Sequence, residues 1–294
     1  MAYRTSPADK NAVERGTLYL VATPIGNMAD LSPRALKILS TVDFVAAEDT
    51  RNSGLMLSRL NISKPMVSYH EHNRRERGEE ILSRLLSGEN CALVTDAGMP
   101  AISDPGEDLV RECHEHGVAV AAVPGPCAFA TALAVSGMPA GRFTFEGFLS
   151  VNKQSRRAHL ESLAQEQRTM LFYEAPHKLP ATLRDLYAAF GERRIAIVRE
   201  ITKVYEEVIR TTLADAVRTI ETEPVKGEIV LIVEGAPQPA RTEITLDDAV
   251  GSALRKIEEG LSPTDAAKAA ARETGLKKGD IYKALTQRRE TNDP

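Results

Sequence analysis

At 294 residues, 43% apolar and 27% charged, the chain exceeds the usual size of one domain and can bury a core without disulfide or metal staples. Its apolar runs fall far short of the roughly 20 residues of a membrane helix, which excludes a membrane span. A formal net charge of −4 excludes a uniformly basic nucleic-acid coat.

Met1 to Arg15 is polar, lacks the apolar core of a secretory signal and is expected to be a disordered tail on a cytoplasmic protein. From Thr17 to about Gly137, short β-branched runs alternate with helical stretches, the pattern of a parallel sheet covered by helices. Thr17–Val21 is the first strand, and it ends in the Gly/Pro-rich loop Ala22–Asn27. Ser32-Pro33 supplies an N-cap and a first-turn proline for the helix Arg34–Leu39. Val42–Ala47 is the second strand and ends in Glu48-Asp49-Thr50-Arg51. Met66–Tyr69 leads into His70-Glu71-His72-Asn73, and Arg74–Leu86 has the apolar spacing of an exposed amphipathic helix. Ala92–Thr95 runs into the loop Asp96–Gly106, and Val118–Val123 into Pro124–Ala128.

Three such loops, each directly after an apolar run, suggest a cofactor cleft, because small molecules bind at the carboxyl ends of strands in open α/β sheets. Glycine lets the backbone approach a ligand closely, and proline holds the loop in one shape. The three cysteines, Cys91, Cys113 and Cys127, lack metal-ligand spacing, and the six histidines form no zinc pattern. Free thiols in a reducing compartment and no metal are expected.

Punctuation around Ser136–Gly141 marks a boundary between a first α/β domain, residues 16–137, and a second, residues 138–235. The second should carry strands at Phe143–Glu146, Thr169–Tyr173, Arg194–Val198 and Glu228–Val233, with a weaker signal at Glu206–Thr211. Residues 236–294 are expected to be a linker, Gly235–Ala240 by composition, and a helical extension. In that extension Leu246–Ile257 is amphipathic, Ser262-Pro263-Thr264-Asp265 opens a helix to Thr274, and Gly275 breaks it before a basic segment from Lys277. Lys268–Arg289 carries seven basic residues against two acidic ones. Two short helices about a glycine turn, the second basic, resemble a helix-turn-helix; a helical hairpin that only packs on its neighbours is the alternative.

Neither GxxxxGK[ST] nor GxGxxG occurs at the three loops, so ATP phosphates and a dinucleotide are poor candidates. The loops lack clustered cations, which fits a ligand without phosphates such as S-adenosylmethionine. Six blocks in order then carry a resemblance: Leu20–Asn27, Ala47-Glu48-Asp49-Thr50-Arg51, Ser68–Asn73, Thr95–Pro100 with Ser103-Asp104-Pro105-Gly106, Pro124–Ala128, and Phe172–Lys178. Together they resemble the ribosomal RNA small-subunit methyltransferase I family, a branch of the tetrapyrrole methylase superfamily. The resemblance runs from about Gly16 to Gly235 and extends to the terminal helices.

It implies a homodimeric, S-adenosylmethionine-dependent methyltransferase with a cofactor cleft between two α/β domains. Its implied substrate is the ribose 2′-hydroxyl of a cytidine in the decoding region of 16S rRNA, free or in the small ribosomal subunit. Carried over by position, the cofactor contacts are Pro24, Gly26, Asp96, Gly98, Pro100, Ile102, Ser103, Pro124, Cys127, Ala128, Glu174 and Ala175. Tetrapyrrole methylases proper have a GDP tripeptide in the second loop. This chain has Asp96-Ala97-Gly98-Met99-Pro100 instead, which favours the RNA branch.

A ribose hydroxyl is a weak nucleophile, so a base or a charge favouring the alkoxide is expected. The candidates at strand ends are Glu48, Asp49 and Arg51, then His70, Glu71 and His72, then Arg199, Glu200 and Lys203. Each has a plainer role open to it. Glu48–Arg51 could be a helix cap with an internal ion pair, the histidines solvated loop residues, and Arg199 and Lys203 phosphate contacts. Cys127 reads as a packing residue, and Asp96 as either a loop-fixing acceptor or a ligand contact. A tetrapyrrole-type small-molecule methylase and a non-catalytic RNA-binding assembly factor remain the alternative functions.

Overall fold

The computed structural model describes residues 12–222, 225–237 and 245–290. The expected tail up to residue 11 and the expected linker from residue 238 lie outside the described residues. Residues 12–15 lie against the first sheet: Tyr19 Oη accepts the Glu14 N–H at 2.9 Å and donates to the Ala12 carbonyl at 3.4 Å, and Val13 packs on the core.

Two compact units divide the chain at Ala236 and Pro237. The first begins with β1 (Thr17–Val21), α1 (Pro33–Thr41), β2 (Phe44–Ala47), α2 (Thr50–Arg59), β3 (Met66–Ser68), α3 (Arg74–Leu86), β4 (Cys91–Val94), α4 (Glu107–Glu115) and β5 (Ala119–Val123). Ser32 caps α1 by accepting the Ala35 N–H, with Pro33 in the first turn where no N–H is needed. The five strands pair in parallel in the order β3-β2-β4-β1-β5. Side chains alternate: Leu18 and Phe44 enter the core on one face, Tyr19 and Val45 that on the other. Burial of both faces is why these strands read as continuous apolar runs.

The chain continues through α5 (Ala128–Ser136), β6 (Phe143–Phe148), α6 (Lys153–Ser162), β7 (Thr169–Glu174), α7 (Leu179–Phe190), β8 (Arg194–Arg199), β9 (Glu207–Thr212), α8 (Leu213–Thr222) and β10 (Ile229–Val233). The second sheet is mixed, in the order β6-β7-β10-β8-β9, with only β6 and β7 parallel. The weakly signalled strand is real: β9 pairs along its whole length with β8. All five residues of β10 are buried between β7 and β8, each such side chain stabilising the fold by about 1.5–3 kcal/mol. A bulge between Phe145 and Gly147 bends β6.

The second unit holds α9 (Leu246–Glu258), α10 (Pro263–Thr274) and α11 (Lys278–Glu290). Thr245 and Asp248 form a reciprocal capping box on α9, Ser262 caps α10, and Gly275 ends α10 in the left-handed conformation. Ala249, Ala253, Ala266, Ala270, Ile281 and Leu285 make its small core. No helix among the described residues is long and apolar enough to cross a membrane.

Candidate functional site

The three Gly/Pro-rich loops leave the carboxyl ends of β4, β1 and β5, which are neighbours in the sheet, so the sheet order itself brings them together. Thr23 and Gly98 exchange backbone hydrogen bonds of 2.9 and 3.1 Å, and the Thr23 hydroxyl donates to the Thr95 carbonyl at 3.0 Å. Gly98 needs its freedom, at φ +92. Gly125 lies so close to Ala22 that a Cβ on it would be 3.0 Å from the Ala22 Cβ. Beyond Gly98 the loop holds Ala101 and Ser103 at φ +66 and +63, strain of about 1–3 kcal/mol each that binding sites often store.

Helix α5 carries the third loop onto the second sheet, where Ala132 and Leu133 pack with Leu171, Ala196, Val198 and Val230, and with Ile25 from the first loop. Tyr173 Oη accepts the Phe129 N–H at 3.2 Å, satisfying a donor in the first turn of α5. Burial pushes the Tyr173 phenol up to about 12, so it stays protonated.

These elements line a cavity of about 300 Å³. Ile25, Ile102, Val198, Ile201, Val230 and Tyr173 give it apolar walls; its charged residues are Asp104, Glu174 and Glu228, and among the described residues no lysine, arginine or histidine lines it. Of the expected cofactor contacts, Gly98, Ile102, Ser103, Cys127, Ala128, Glu174 and Ala175 line this cavity. Pro24, Gly26, Asp96, Pro100 and Pro124 do not: Pro100 is buried, Asp96 accepts from Asn52 Nδ2 at 2.9 Å, and Gly26 lies beside the Lys203 side chain. Glu174 is buried and already engaged, Oε1 by the Ala175 N–H at 2.8 Å and Oε2 by the Thr182 hydroxyl. Its carboxylate holds the loop after β7. Burial raises the Cys127 thiol, which keeps it protonated.

A second cavity, of about 410 Å³, shares Ser103 and Asp104 with the first. Glu48, Glu71, Arg74, Glu107 and Asp108 also line it. Burial, and after it the charges of Glu48 and Asp96, push the Asp104 carboxyl up to about 7, while the Thr95 hydroxyl acts the other way. Glu48 is raised by burial first and by Asp96 next.

Of the expected candidates for the base, Glu48 and Glu71 line the second cavity, and the others line neither of the two. Asp49 caps α2, accepting the Arg51 N–H and the Arg51 guanidinium at 2.8 Å each, and hydrogen bonds from Arg51 hold its carboxyl down to about 2. His72 is exposed and lines neither cavity. Glu200 and Lys203 pair at 2.9 Å, and Lys203 Nζ lies 3.4 Å from Glu228 Oε2. The hydrogen bond from Lys203 lowers Glu200; burial opposes the charge of Lys203, but its two carboxylate partners leave it raised. Glu200 and Thr202, at φ +50 and +67, give this turn the same strained conformation as the Ala101–Ser103 loop.

Asp104, Tyr173, Ile201, Glu228 and Val230 were not among the expected site residues. Asp104 had a signal, the Ser103-Asp104-Pro105-Gly106 quartet; β10 was expected as a strand at Glu228–Val233, but its place between β7 and β8, a non-local pairing, had none. Chemically, one cavity suits a ligand with a flat apolar part and a positive charge. The other is polar, and Asp104 stands where they meet.

Residues 17–217 match the family described as Tetrapyrrole (Corrin/Porphyrin) Methylases, and residues 245–289 match the RsmI C-terminal HTH domain. The chain is 46% identical over 271 residues to the ribosomal RNA small subunit methyltransferase I of Synechocystis, covering 91% of this chain and 96% of that one. The protein of the same name from Halalkalibacterium halodurans is 42% identical over 97% of this chain and 99% of its own. Among solved structures, cobalt precorrin-4 methyltransferase superposes with a TM-score of 0.56 at 18% identity, covering 74% of this chain and 95% of that one. Uroporphyrin-III-C-methyltransferase from Thermus thermophilus gives 0.54 at 19%, over 75% and 94%. At that identity the two structures speak for the fold alone.

Proposed function

The chain belongs to the ribosomal RNA small subunit methyltransferase I family, and from that premise we propose that it methylates the ribose 2′-hydroxyl of a cytidine in the decoding region of 16S rRNA, with S-adenosylmethionine as donor. One observation supports the choice of cofactor: among the described residues the first cavity is lined by apolar side chains together with Asp104, Glu174 and Glu228, and by no lysine, arginine or histidine. A sulfonium and an ammonium group are welcome there, and the apolar wall beside Tyr173 suits an adenine ring. S-adenosylmethionine, when bound, supplies an electrophilic methyl group and a neutral thioether leaving group.

What this chain supplies is position. The bridge between Thr23 and Gly98, the Glu174 clasp on Ala175 and the Tyr173 clasp on α5 fix the cavity walls before any ligand arrives, so little ordering is left to do on binding. Glu48 stands on the acceptor side, in the second cavity. Asp49 and Arg51 hold the start of α2, and Glu200 with Lys203 braces the first loop at Gly26.

The charge pattern also separates the readings of the acceptor. A tetrapyrrole brings carboxylates on its periphery, and both cavities meet it with acidic residues against Arg74, the single cation among the described lining residues. A nucleotide turned out of its strand enters with a neutral ribose and base while its phosphates stay outside. Exposed lysines on α10 and α11, among them Lys268, Lys278 and Lys283, supply phosphate contacts in this reading. The working form is a homodimer, for which exposed Phe148 and Val151 offer apolar surface. The free cysteines Cys91 and Cys113 fit the cytoplasm.

The test is transfer of labelled methyl from S-adenosylmethionine to small-subunit RNA or particles, together with mass-spectrometric mapping of rRNA from cells lacking the protein. One missing 2′-O-methyl on a decoding-region cytidine is expected. A protein that binds S-adenosylmethionine but methylates a porphyrinoid and no RNA is a tetrapyrrole-type enzyme; one that binds RNA without the cofactor is an assembly factor.

A further inference from the structure

Methyl transfer to a hydroxyl leaves a proton that must go somewhere, and the two cavities share two side chains, Ser103 and Asp104. Of these only Asp104 can take a proton at neutral pH. We infer that Asp104 is the acceptor of the proton released by the substrate hydroxyl, a role that rests on the methyltransfer reading above. As the hydroxyl oxygen forms its bond to the methyl carbon, the carbon–sulfur pair passes to sulfur, and the hydroxyl proton passes to an Asp104 carboxylate oxygen. Charge balances, since a sulfonium and a carboxylate become a thioether and a carboxylic acid.

The neighbouring carboxylates are committed elsewhere or lie on one side only. Glu174 is engaged by Ala175 and Thr182, Glu228 lies beside Lys203, and Asp96 accepts from Asn52. Glu48 lines the second cavity but not the first. Asp104 has no ion pair among the described residues, and the loop that presents it takes strained left-handed turns at Ala101 and Ser103. The groups facing it are mostly acidic: Glu48 after β2, Asp96 after β4, Glu71 before α3, and Glu107 and Asp108 in the first turn of α4. Arg74 of α3 is the cation among them, and it pairs with Asp108 at 3.1 Å. Burial, and after it the charges of Glu48 and Asp96, raise the proton affinity of Asp104 to the range in which a general base works best, near the operating pH.

The experiment combines three measurements on the full chain: single-turnover methyl transfer to small subunits from pH 5 to 9, S-adenosylmethionine binding by calorimetry, and ¹³C NMR titration of the aspartate carboxyls in the unliganded protein. We expect wild-type transfer to rise with pH to a plateau above about 7, and an Asp104 resonance that titrates in the same range. Asp104→Asn should slow single-turnover transfer about a hundredfold or more and remove that limb, with S-adenosylmethionine kept saturating at a concentration set by the dissociation constant that calorimetry gives for each variant. Asp104→Glu, which keeps a carboxyl, should recover part of the rate with the limb still present. An Asp104 carboxyl titrating in the ordinary carboxylate range, or transfer by Asp104→Asn within threefold of wild type, overturns the proposal while leaving the methyltransfer reading intact. No transfer by the wild-type protein to any ribosomal substrate overturns that reading, and the proposal with it.

Discussion

The side chain of Lys203 runs beside Gly26 so closely that a Cβ on Gly26 would fall 2.5 Å from Lys203 Cγ and 2.9 Å from Cε. Gly26 also sits at φ +154, a conformation costly for any other residue. The loop after β1 and the turn after β8 are thus fitted to each other, and Lys203 is held in place by Glu200. Gly26→Ala is expected to destabilise the protein by about 1–3 kcal/mol and to weaken S-adenosylmethionine binding. Adding Lys203→Ala should recover the steric part but not the backbone part. Thermal melts and calorimetry on the single and double variants check this; a Gly26→Ala protein with unchanged stability and affinity counts against the coupling.

Thr182 and Glu174 form a second such pair, buried at the start of α7. Thr182→Val removes the hydroxyl that donates to the Glu174 carboxylate and leaves a buried acceptor unpaired, at a cost of about 1–3 kcal/mol. Because Glu174 also receives the Ala175 N–H, the loop lining the cavity should loosen and the KM for S-adenosylmethionine rise. The rate at saturating cofactor should hold within a few-fold, since Thr182 lines neither cavity. A fall in that rate with an unchanged KM would assign Thr182 a different role.

The loops were legible because glycine and proline directly after an apolar run carry a local signal, and because β4, β1 and β5 are neighbours in the sheet. The cap at Asp49 and the ion pair with Arg51 were legible as the plainer alternative for that block, and the geometry has that form. Ile201 and Val230 were not legible, since their places in the wall depend on antiparallel pairings that bring β10 between β7 and β8. Asp104 lay in plain view in its quartet. Its raised proton affinity, however, comes first from burial and then from Glu48, at the end of β2, and Asp96, earlier in the same loop; neither the burial nor the approach of Glu48 is announced by a local pattern.

Asp104 should also mark the pH dependence of stability. Its folded-state pKa of about 7 lies above the unfolded value of about 3.9, so between these the folded chain binds more protons than the unfolded one. Stability from this group is therefore lost as pH rises from about 4 to about 7. Asp104→Asn removes that loss. It should be close to wild type at pH 4 and more stable at pH 8, by about 1–2 kcal/mol after allowing for solvent screening of a partly exposed group. Urea unfolding at pH 4, 6 and 8 measures the difference; a variant less stable at pH 8 than at pH 4 relative to wild type has the wrong sign.

Lys278 and Lys283 stand exposed on α11, while Ile281 and Leu285 of the same helix turn into the core of the terminal unit. If α11 meets rRNA phosphates, each lysine that neutralises one contributes about one unit to the slope of log affinity against log salt. Lys278→Ala with Lys283→Ala should then lower that slope by about 2 and weaken binding to small-subunit RNA at least tenfold at low salt. The helices should remain folded, because neither side chain belongs to the buried Ala249–Leu285 core. S-adenosylmethionine affinity should be unchanged if the cofactor binds in the first cavity, whose described lining residues all belong to the first unit. Fluorescence titrations at four salt concentrations provide the slope. An unaltered slope with intact helicity would make α10 and α11 a hairpin that only packs, and would move the phosphate contacts to the first unit.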